Sequence, residues 1–578
     1  MLRTFQTPVL FLMLLIACCG AYADKVDDYI RQKMAHQHIP GLSLAVLWDG
    51  KIVKVKGYGL ANVELNAPST PQTLYQIQSM TKQFTAAAVM MLVEQGKIGL
   101  DEPVSRYLAG TPESWKPITV RHLLTHTSGI KDYINEPTQN LRLDVTEEEV
   151  YQATIPRPLN FQPGERFSYS NTNYHLLGMI LHKVSGKPYG AFLQERIFEP
   201  LGMKDTRILS LSDILPHRAS GYRWDGKQLH NGDYISPTIL GYAGGGILST
   251  VLDLAKWDAA LSGETLLKSS SLQQMWTSGT LNDGSPTNYG FGWDLGETSG
   301  HKSVSHGGGH VTGFTTFITR FLKDRLTIVV LTNQLGKSDP AAIATGVATY
   351  YLPDLLGPEL KVTRLAPALL ESYTGRYEIQ NNVLGTVTTR NGRLYLSSEG
   401  DTWELLPFSE TTFFPTDPGL DPARKVRLTF QDFHASTPRL IYTIEGREIK
   451  RPAPYIGPLI HTLKPQSDPD PNRTRHVWAA LQAMSQGGKA VAEAPALSLG
   501  ARKDFGEVPL PELAGLQSLS FIATQDVAGR GIERHGGSVT RIIYYKLHTK
   551  LHTDKASHYV LVYLTAEGLV TDEDVVDD

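Results

Sequence analysis

Apolar and polar residues alternate with two different periods along this chain, and the switches between them mark out its elements. "GLSLAVLWDGKIVKVKGYG" (residues 41–59) reads as two strands around Asp49-Gly50, a pair that tolerates the positive φ a tight hairpin demands. "TKQFTAAAVMMLVEQGK" then turns helical. Phe84, Ala87, Ala88, Met91 and Leu92 recur at helical spacing and predict an amphipathic helix, with Gly96 as its C-terminal stop. "EEEVYQATI", "NYHLLGMILHKVSG" and "TVLDLAKWDAAL" predict further helices, and "GFTTFITRFLKDRLTIVVLTNQ" (residues 313–334) predicts two strands joined at Lys323-Asp324. A hairpin at the start and a strand pair near the end can complete one antiparallel sheet with helices packed on it, an α+β fold over residues 24–357.

The pattern changes after "LGPELKVTRLAP". "YTGRYEI", "GTVTTRNGRLYLSS", "TWELLPF", "KVRLTFQDF" and "RLIYTIEG" are short alternating segments, and Asn391-Gly392 is a hairpin signal. They predict a small all-β, barrel-like unit over residues 366–454. The Pro- and Asp-rich "LKPQSDPDPNRT" reads as the core of a linker, residues 455–474. Residues 475–578 open with a helical "HVWAALQAMSQGGKAV" and continue with β-branched, aromatic stretches, a small α+β unit of unassigned role.

Composition adds exclusions more than assignments. The 578 residues suggest three to five domains at roughly 100–200 residues each. With 55 basic against 58 acidic residues and no basic stripe, the footprint of a nucleic-acid binder is missing. The acid-rich end "TDEDVVDD" reads as a solvated terminus. At the other end, Arg3 precedes the apolar "VLFLMLLIACC" (residues 9–19), and Ala21-Tyr22-Ala23 places small residues at a cleavage site, so residues 1–23 read as a secretory signal. "LIAC" (residues 15–18) also resembles a bacterial lipoprotein box, which would anchor the protein at Cys18. Either way the protein is expected in the periplasm or secreted. Both cysteines lie in this segment, so no disulfide scaffold is expected, and no later stretch reaches the roughly 18–20 apolar residues that span a bilayer.

The chemistry starts from "YQIQSMTKQFTAAA". Ser79-Met80-Thr81-Lys82 is an S-x-x-K tetrad, repeated at Ser128–Lys131 and Ser299–Lys302. Ser79 is the copy from which a helix is expected to start, where free N–H groups favour a developing oxyanion. Lys82 would lie on the same face, and partial desolvation would favour the neutral amine that can take a serine proton. Ser128 precedes a helix-breaking glycine and Ser299 sits in a polar loop. The plain alternative for any single tetrad is a capping serine beside a solvated lysine.

Two further patterns follow in order: Tyr169-Ser170-Asn171 in "FSYSNTNYHLLG" and His306-Gly307-Gly308-Gly309 in "SVSHGGGHVTGF". Each is weak alone, since Tyr133-Ile134-Asn135, His230-Asn231-Gly232 and His535-Gly536-Gly537 repeat them. Together, through "SMTKQFTA", "LLTHTSGI", "PGERFSYSNTNYHLLG", "GGGILST" and "HGGGHVTGF", residues about 25–355 resemble the serine β-lactamase-like family. That family includes class C β-lactamases, D-alanyl-D-alanine carboxypeptidases, D-amino-acid amidases and related esterases. The resemblance implies a helical part beside an antiparallel sheet flanked by helices, with the site in the cleft between them. It implies an acyl-enzyme on Ser79, general base and acid work shared by Lys82 and Tyr169, and an oxyanion hole from the N–H groups of Ser79 and Gly309. It further implies substrate contacts from Asn171, His306 and Gly308, and no cofactor or metal. A phenol is a poor base at neutral pH unless a cation such as Lys82 lies nearby, and the glycines at 307–309 let a strand edge approach a substrate carbonyl.

The third motif departs from the Lys-Thr-Gly of many β-lactamases, and in this family the His form suits carboxypeptidases, amidases and esterases. The expected activity is therefore that of an exported serine hydrolase on a small peptide, amide or ester, a cell-wall peptide being one such substrate. A β-lactamase is the runner-up, and a penicillin-binding protein with little turnover is the rival. Elsewhere His126 reads as a buried, hydrogen-bonded histidine, and the glycines 244–246 as a tight turn beside the cleft. His535-Gly536-Gly537 reads as a hairpin loop, and His548 with His552 as a pair lacking a third metal ligand.

Overall fold

The computed structural model describes residues 25–577, apart from 135–139, 241, 357–361, 381–382, 399–400, 417–425, 432–438, 445–451, 460–462, 464–465, 506–509, 511–512, 531, 536 and 550–557. The segment read as a signal peptide or lipoprotein anchor lies outside the described residues. The chain divides into two compact units, the first formed mainly by residues up to 358 and the second mainly by those from 359 on.

The first unit is built on a seven-stranded sheet. Its strands are β1 (Gly41–Trp48), β2 (Lys51–Asn62), β3 (Ala67–Pro68), β4 (Asp294–Thr298), β5 (His301–His310), β6 (Phe314–Phe321) and β7 (Leu326–Thr332), in the order β3-β2-β1-β7-β6-β5-β4. Asp49 and Gly50 both take positive φ, 54° and 70°, as the two-residue turn requires. β1 pairs with β7 from Leu42↔Thr332 to Trp48↔Leu326, which joins the first hairpin to the late strand pair. The period of two then sorts side chains between two layers. Leu42, Leu44, Val46, Ile328 and Val330 join one core with Val26, Ile30, Ile343 and Val347. Ala45, Leu47, Val329 and Leu331 join a larger core with the helices of the opposite face.

Three helices on that face position the site: α1 (Thr81–Glu94), α2 (Asn171–Ser185) and α3 (Val251–Leu261). α1 differs from the expected amphipathic helix, because every residue from Thr81 to Leu92 is buried. Its apolar stripe is real, but other elements also cover the intervening positions, so α1 is an internal helix. It also starts later than expected. Gln78–Met80 forms a 3₁₀ turn and α1 begins at Thr81, so Ser79 sits in the turn ahead of the helix. Gly96, at φ 69°, follows the end of α1.

The second unit holds a closed barrel of eight strands, from Gly375–Gln380 to Pro452–Gly457. Asn391 and Gly392 turn one hairpin with φ of 51° and 71°, and Tyr377, Val387, Leu394, Phe413, Phe430 and Leu440 fill the interior. A four-stranded antiparallel sheet, Leu516–Asp526, Arg541–Thr549, His558–Leu564 and Val570–Asp577, packs against the helix Pro471–Gln486 through Val477, Leu481, Met484, Ile543 and Val562. The end of the last barrel strand and the start of that helix both fall inside the span read as a linker, residues 455–474. Barrel and sheet also share a core, in which Ile456 meets Ile522, Tyr544 and Tyr563. Arg534 bridges them: its Nε donates to Glu378 of the barrel at 3.0 Å and its Nη1 to Asp572 at 2.7 Å, all buried.

Candidate active site

Ser79 is presented by a constrained turn. Gln78, the residue before it, holds a φ of +53°, a conformation that non-glycine residues seldom adopt. The turn is pinned from the sheet: Gln78 Nε2 donates to Thr312 Oγ1 at 2.9 Å, and Thr316 Oγ1 donates to the Ile77 carbonyl at 2.9 Å. Gly308 lies against the same turn. A Cβ there would come within 2.4 Å of the Ile77 carbonyl and 2.8 Å of Gln78 Cβ. The face of Gly308 where a side chain would stand is thus closed by the Ser79 turn.

Lys82 lies one helical turn on, with no exposed surface. Its Nζ is 3.0 Å from Ser79 Oγ, 2.9 Å from Asn171 Oδ1 and 2.7 Å from the Gly244 carbonyl. Burial pulls its pKa down to about 7, against which the Asp132 carboxylate pulls upward. Near neutral pH a large fraction of this amine is therefore uncharged. An uncharged amine has two N–H groups and one lone pair. The amide oxygen of Asn171 and the carbonyl of Gly244 can only accept, so they take both N–H groups and leave the lone pair facing the Ser79 hydroxyl.

Tyr169 and Asn171 flank the start of α2. The Tyr169 hydroxyl hydrogen-bonds Ser79, and its ring lies 4.9 Å from Lys82 Nζ. About a third of the residue (37%) faces the cleft. The crowding around its hydroxyl raises the phenol above its ordinary pKa, and the Ser79 hydrogen bond only partly offsets this. Lys82 thus does not make Tyr169 a phenolate here; the phenol keeps its proton. Asn171 is fully engaged on its oxygen side, and its Nδ2 donates to Asp132 Oδ2 at 3.0 Å.

The sheet supplies the other wall. β4 pairs with β5 only from His301 to Ser305, so His306–His310 has β6 on one side and an open edge on the other. Gly309 is exposed on that edge. His306 is turned inward and almost fully buried (3% exposed). Its Nδ1 lies 2.6 Å from the Gly307 carbonyl, which must accept, so Nε2 is the lone-pair nitrogen that takes the Tyr289 hydroxyl at 2.9 Å. Burial also lowers its pKa, so the third motif presents no charge near neutrality.

His126 is the buried, hydrogen-bonded histidine expected: its Nδ1 accepts from Ser170 N at 3.2 Å, and burial holds its pKa well below the usual value. The segment around it explains the second S-x-x-K copy. Ser128 Oγ donates to Asn173 Oδ1 at 2.6 Å, which straps that loop to α2. Ser299 bonds the Leu355 carbonyl at 3.2 Å, in the turn between β4 and β5. The tight turn at 244–246 is present, with Gly245 and Gly246 N both donating to the Tyr242 carbonyl. His548 bonds Ser520 Oγ at 2.8 Å, while Asn135, Gly536 and His552 lie outside the described residues. A cavity of about 660 Å³ lies at the other end of β6, beside Trp276 and Arg320, far from Ser79. No helix among the described residues is long and apolar enough to cross a membrane.

Sequence reasoning missed Asp132, Tyr289 and the Gly244 carbonyl. The last carries no side-chain signal, and Tyr289 stands alone in "TNYGFGW". Asp132 stands in "HTSGIKDY", four residues on from Ser128.

The family model described as Beta-lactamase matches residues 26–350. Penicillin-binding protein 4* of Bacillus subtilis is 33% identical over 395 residues, covering 63% of this chain and 85% of that protein. Protein flp of Staphylococcus aureus is 28% identical over 318 residues, 54% of this chain and 62% of its own length. Among solved structures, the octameric penicillin-binding protein homologue from Pyrococcus abyssi is 31% identical, with a TM-score of 0.52 over 75% of this chain and 99% of that one. With more than half of its length matched by the family model, the chain belongs to the Beta-lactamase family of serine hydrolases, related to penicillin-binding proteins.

Proposed function

We propose that this protein is a serine hydrolase that forms an acyl-enzyme on Ser79 and acts on a small peptide, amide or ester, in the manner of a D-alanyl-D-alanine carboxypeptidase, amidase or esterase. The observation that carries this reading is the buried Lys82 amine, with a pKa of about 7 and its lone pair held toward the Ser79 hydroxyl. Lys82 takes the serine proton as Oγ attacks the substrate carbonyl. The N–H groups of Ser79 and Gly309 receive the oxyanion. Tyr169, which keeps its proton, gives it to the departing nitrogen or oxygen and regains one from the Lys82 ammonium. A water molecule then attacks the ester on Ser79, with the same groups working in reverse. The second N–H of Asn171 Nδ2 is the donor for a substrate amide carbonyl. His306 acts through Tyr289, as a neutral support of the wall.

The uncharged His306 favours neutral amides and esters over substrates that need a cation at the third motif. The relatives named as penicillin-binding proteins keep acylation by penicillins, with little turnover, as the second reading. Fluorophosphonate and fluorescent penicillin labelling test both. Label should enter the wild type and be lost in Ser79→Ala; equal labelling of both would sink the assignment. Nitrocefin, p-nitrophenyl esters and D-Ala-D-Ala peptides then separate the substrate classes. Export rests on residues 1–23, and N-terminal analysis of the mature protein should find Asp24 first, or a lipid on Cys18.

A further inference from the structure

Asp132 lies beside this site, outside its three motifs, and its contacts form a chain to Lys82. Asp132 Oδ2 accepts from Asn171 Nδ2 at 3.0 Å, and Asn171 Oδ1 accepts from Lys82 Nζ at 2.9 Å. Asp132 is itself held in place. Its Oδ1 accepts from Ile134 N at 3.1 Å. The segment around it is tied to the first turn of α2 on both sides: Thr172 Oγ1 donates to the Lys131 carbonyl at 2.7 Å, and Tyr133 N donates to Thr172 Oγ1 at 3.0 Å. The Tyr133 hydroxyl then donates to the Ile239 carbonyl at 3.1 Å. A residue strapped in this way moves little relative to Asn171.

We propose that Asp132 is a positioning residue of this site, whose carboxylate fixes the Asn171 side-chain amide so that its oxygen, and not its NH₂ group, faces Lys82. The reason is one of inventory. A carboxylate only accepts, so only the NH₂ end of Asn171 can face it, and the amide cannot turn over without placing oxygen against oxygen. Were Asn171 reversed, its NH₂ would meet Lys82 Nζ. The amine would then satisfy that donor with its lone pair, which would no longer face Ser79. Asp132 thus decides where the lone pair of Lys82 points, although it touches neither Ser79 nor substrate. This rests on the reading of Ser79 and Lys82 given above.

Its charge adds a second effect. The groups around Lys82 are the rings of Tyr169 and Tyr174, at 4.9 and 5.5 Å, the histidines 126, 306 and 310, and Asp132. Asp294 of β4 acts on Tyr169, Tyr174 and His306. The three histidines have lowered pKa values and stay neutral near pH 7. Asp132 is the charge that holds the Lys82 pKa up against burial. Removing that charge lowers the pKa further, so the reactive neutral amine persists to lower pH.

The test is the pH profile of Ser79 acylation by a fluorophosphonate in the full-length protein, for wild type, Asp132→Asn and Asp132→Ala. Asp132→Asn keeps an acceptor for Asn171 and removes the charge, and its acid limb should move down on the order of 1 pH unit. Asp132→Ala removes the anchor as well, and its plateau rate should also fall about 10- to 100-fold. Circular dichroism and melting curves check the fold of each, and the isosteric Asn variant keeps the test open if the Ala variant is unstable. An Asn variant whose profile overlays wild type, or moves upward, overturns the inference. If Ser79→Ala labels as well as wild type, the reading of the site itself has failed, and the two failures are thereby told apart.

Discussion

At the scale of single residues, the site is governed by one desolvated amine. The ordinary lysine value near 10.5 falls to about 7 for Lys82 because burial penalises its charge. The neutral form is the base, so acylation should rise with pH and level off above about 7, with a fall of about tenfold per unit below that. A rate that kept climbing toward pH 10 would mean that Lys82 is not desolvated in the working enzyme. Lys82→Arg tests the same point without removing charge. A guanidinium stays protonated, so acylation should fall roughly 10²–10⁴-fold, read as the label uptake rate. Tyr169 carries the opposite shift, upward, from the same cause. One environment that disfavours charge therefore leaves an amine unprotonated near neutral pH and a phenol reluctant to ionise, the division that the proposed base and acid roles need.

At the scale of elements, the distance between the Ser79 turn and β5 is set by a glycine. A Cβ at Gly308 would stand 2.4 Å from the Ile77 carbonyl, a backbone atom that cannot swing aside. At Gly309 the nearest atom would be Thr315 Cγ2 at 3.5 Å, an ordinary contact. Gly308→Ala should push the strand from the turn and lower acylation about 10²-fold, whereas Gly309→Ala should stay within about threefold of wild type. Comparable losses in both would show that the backbone at Gly309, and not the close approach at Gly308, is the sensitive feature. Secondary structure reached the correct elements because its signals are local: the Asp49-Gly50 and Asn391-Gly392 turns and the apolar spacing of α1 all depend on neighbours in sequence. The start of α1 was misplaced, because Gln78 is held at positive φ by contacts from Thr312 and Gly308, more than 200 residues away.

At the scale of the whole molecule, each unit is closed by long-range pairing. β1 meets β7 across nearly the full length of the first unit, and in the second unit Arg534 meets Glu378 and Asp572 in a buried cluster. Replacing Arg534 by Met would leave three carboxylates, Glu378, Asp572 and Asp574, without their cation. That should destabilise the second unit by about 3–5 kcal/mol, seen as a lowered denaturant midpoint and faster hydrogen exchange in the barrel strands. Unchanged exchange would mean that water reaches the cluster and replaces the guanidinium.

What the sequence determined by itself was the class of fold and the residues that the fold brings together around Ser79. Ser79, Lys82, Tyr169 and Asn171 lie in short motifs whose order along the chain is specific, and the sheet and barrel are written in alternation and turn pairs that act locally. What the tertiary structure decided was which way each group points and how charged it is. Lys82 is largely neutral near pH 7 only because elements far apart in sequence bury it, and its lone pair is directed because Gly244 and Asn171 accept its two hydrogens. His306 meets the Tyr289 hydroxyl on its inward side, and Gly308 packs against the Ser79 turn. Burial and hydrogen-bond direction are properties of several segments together, so no single motif could have carried them.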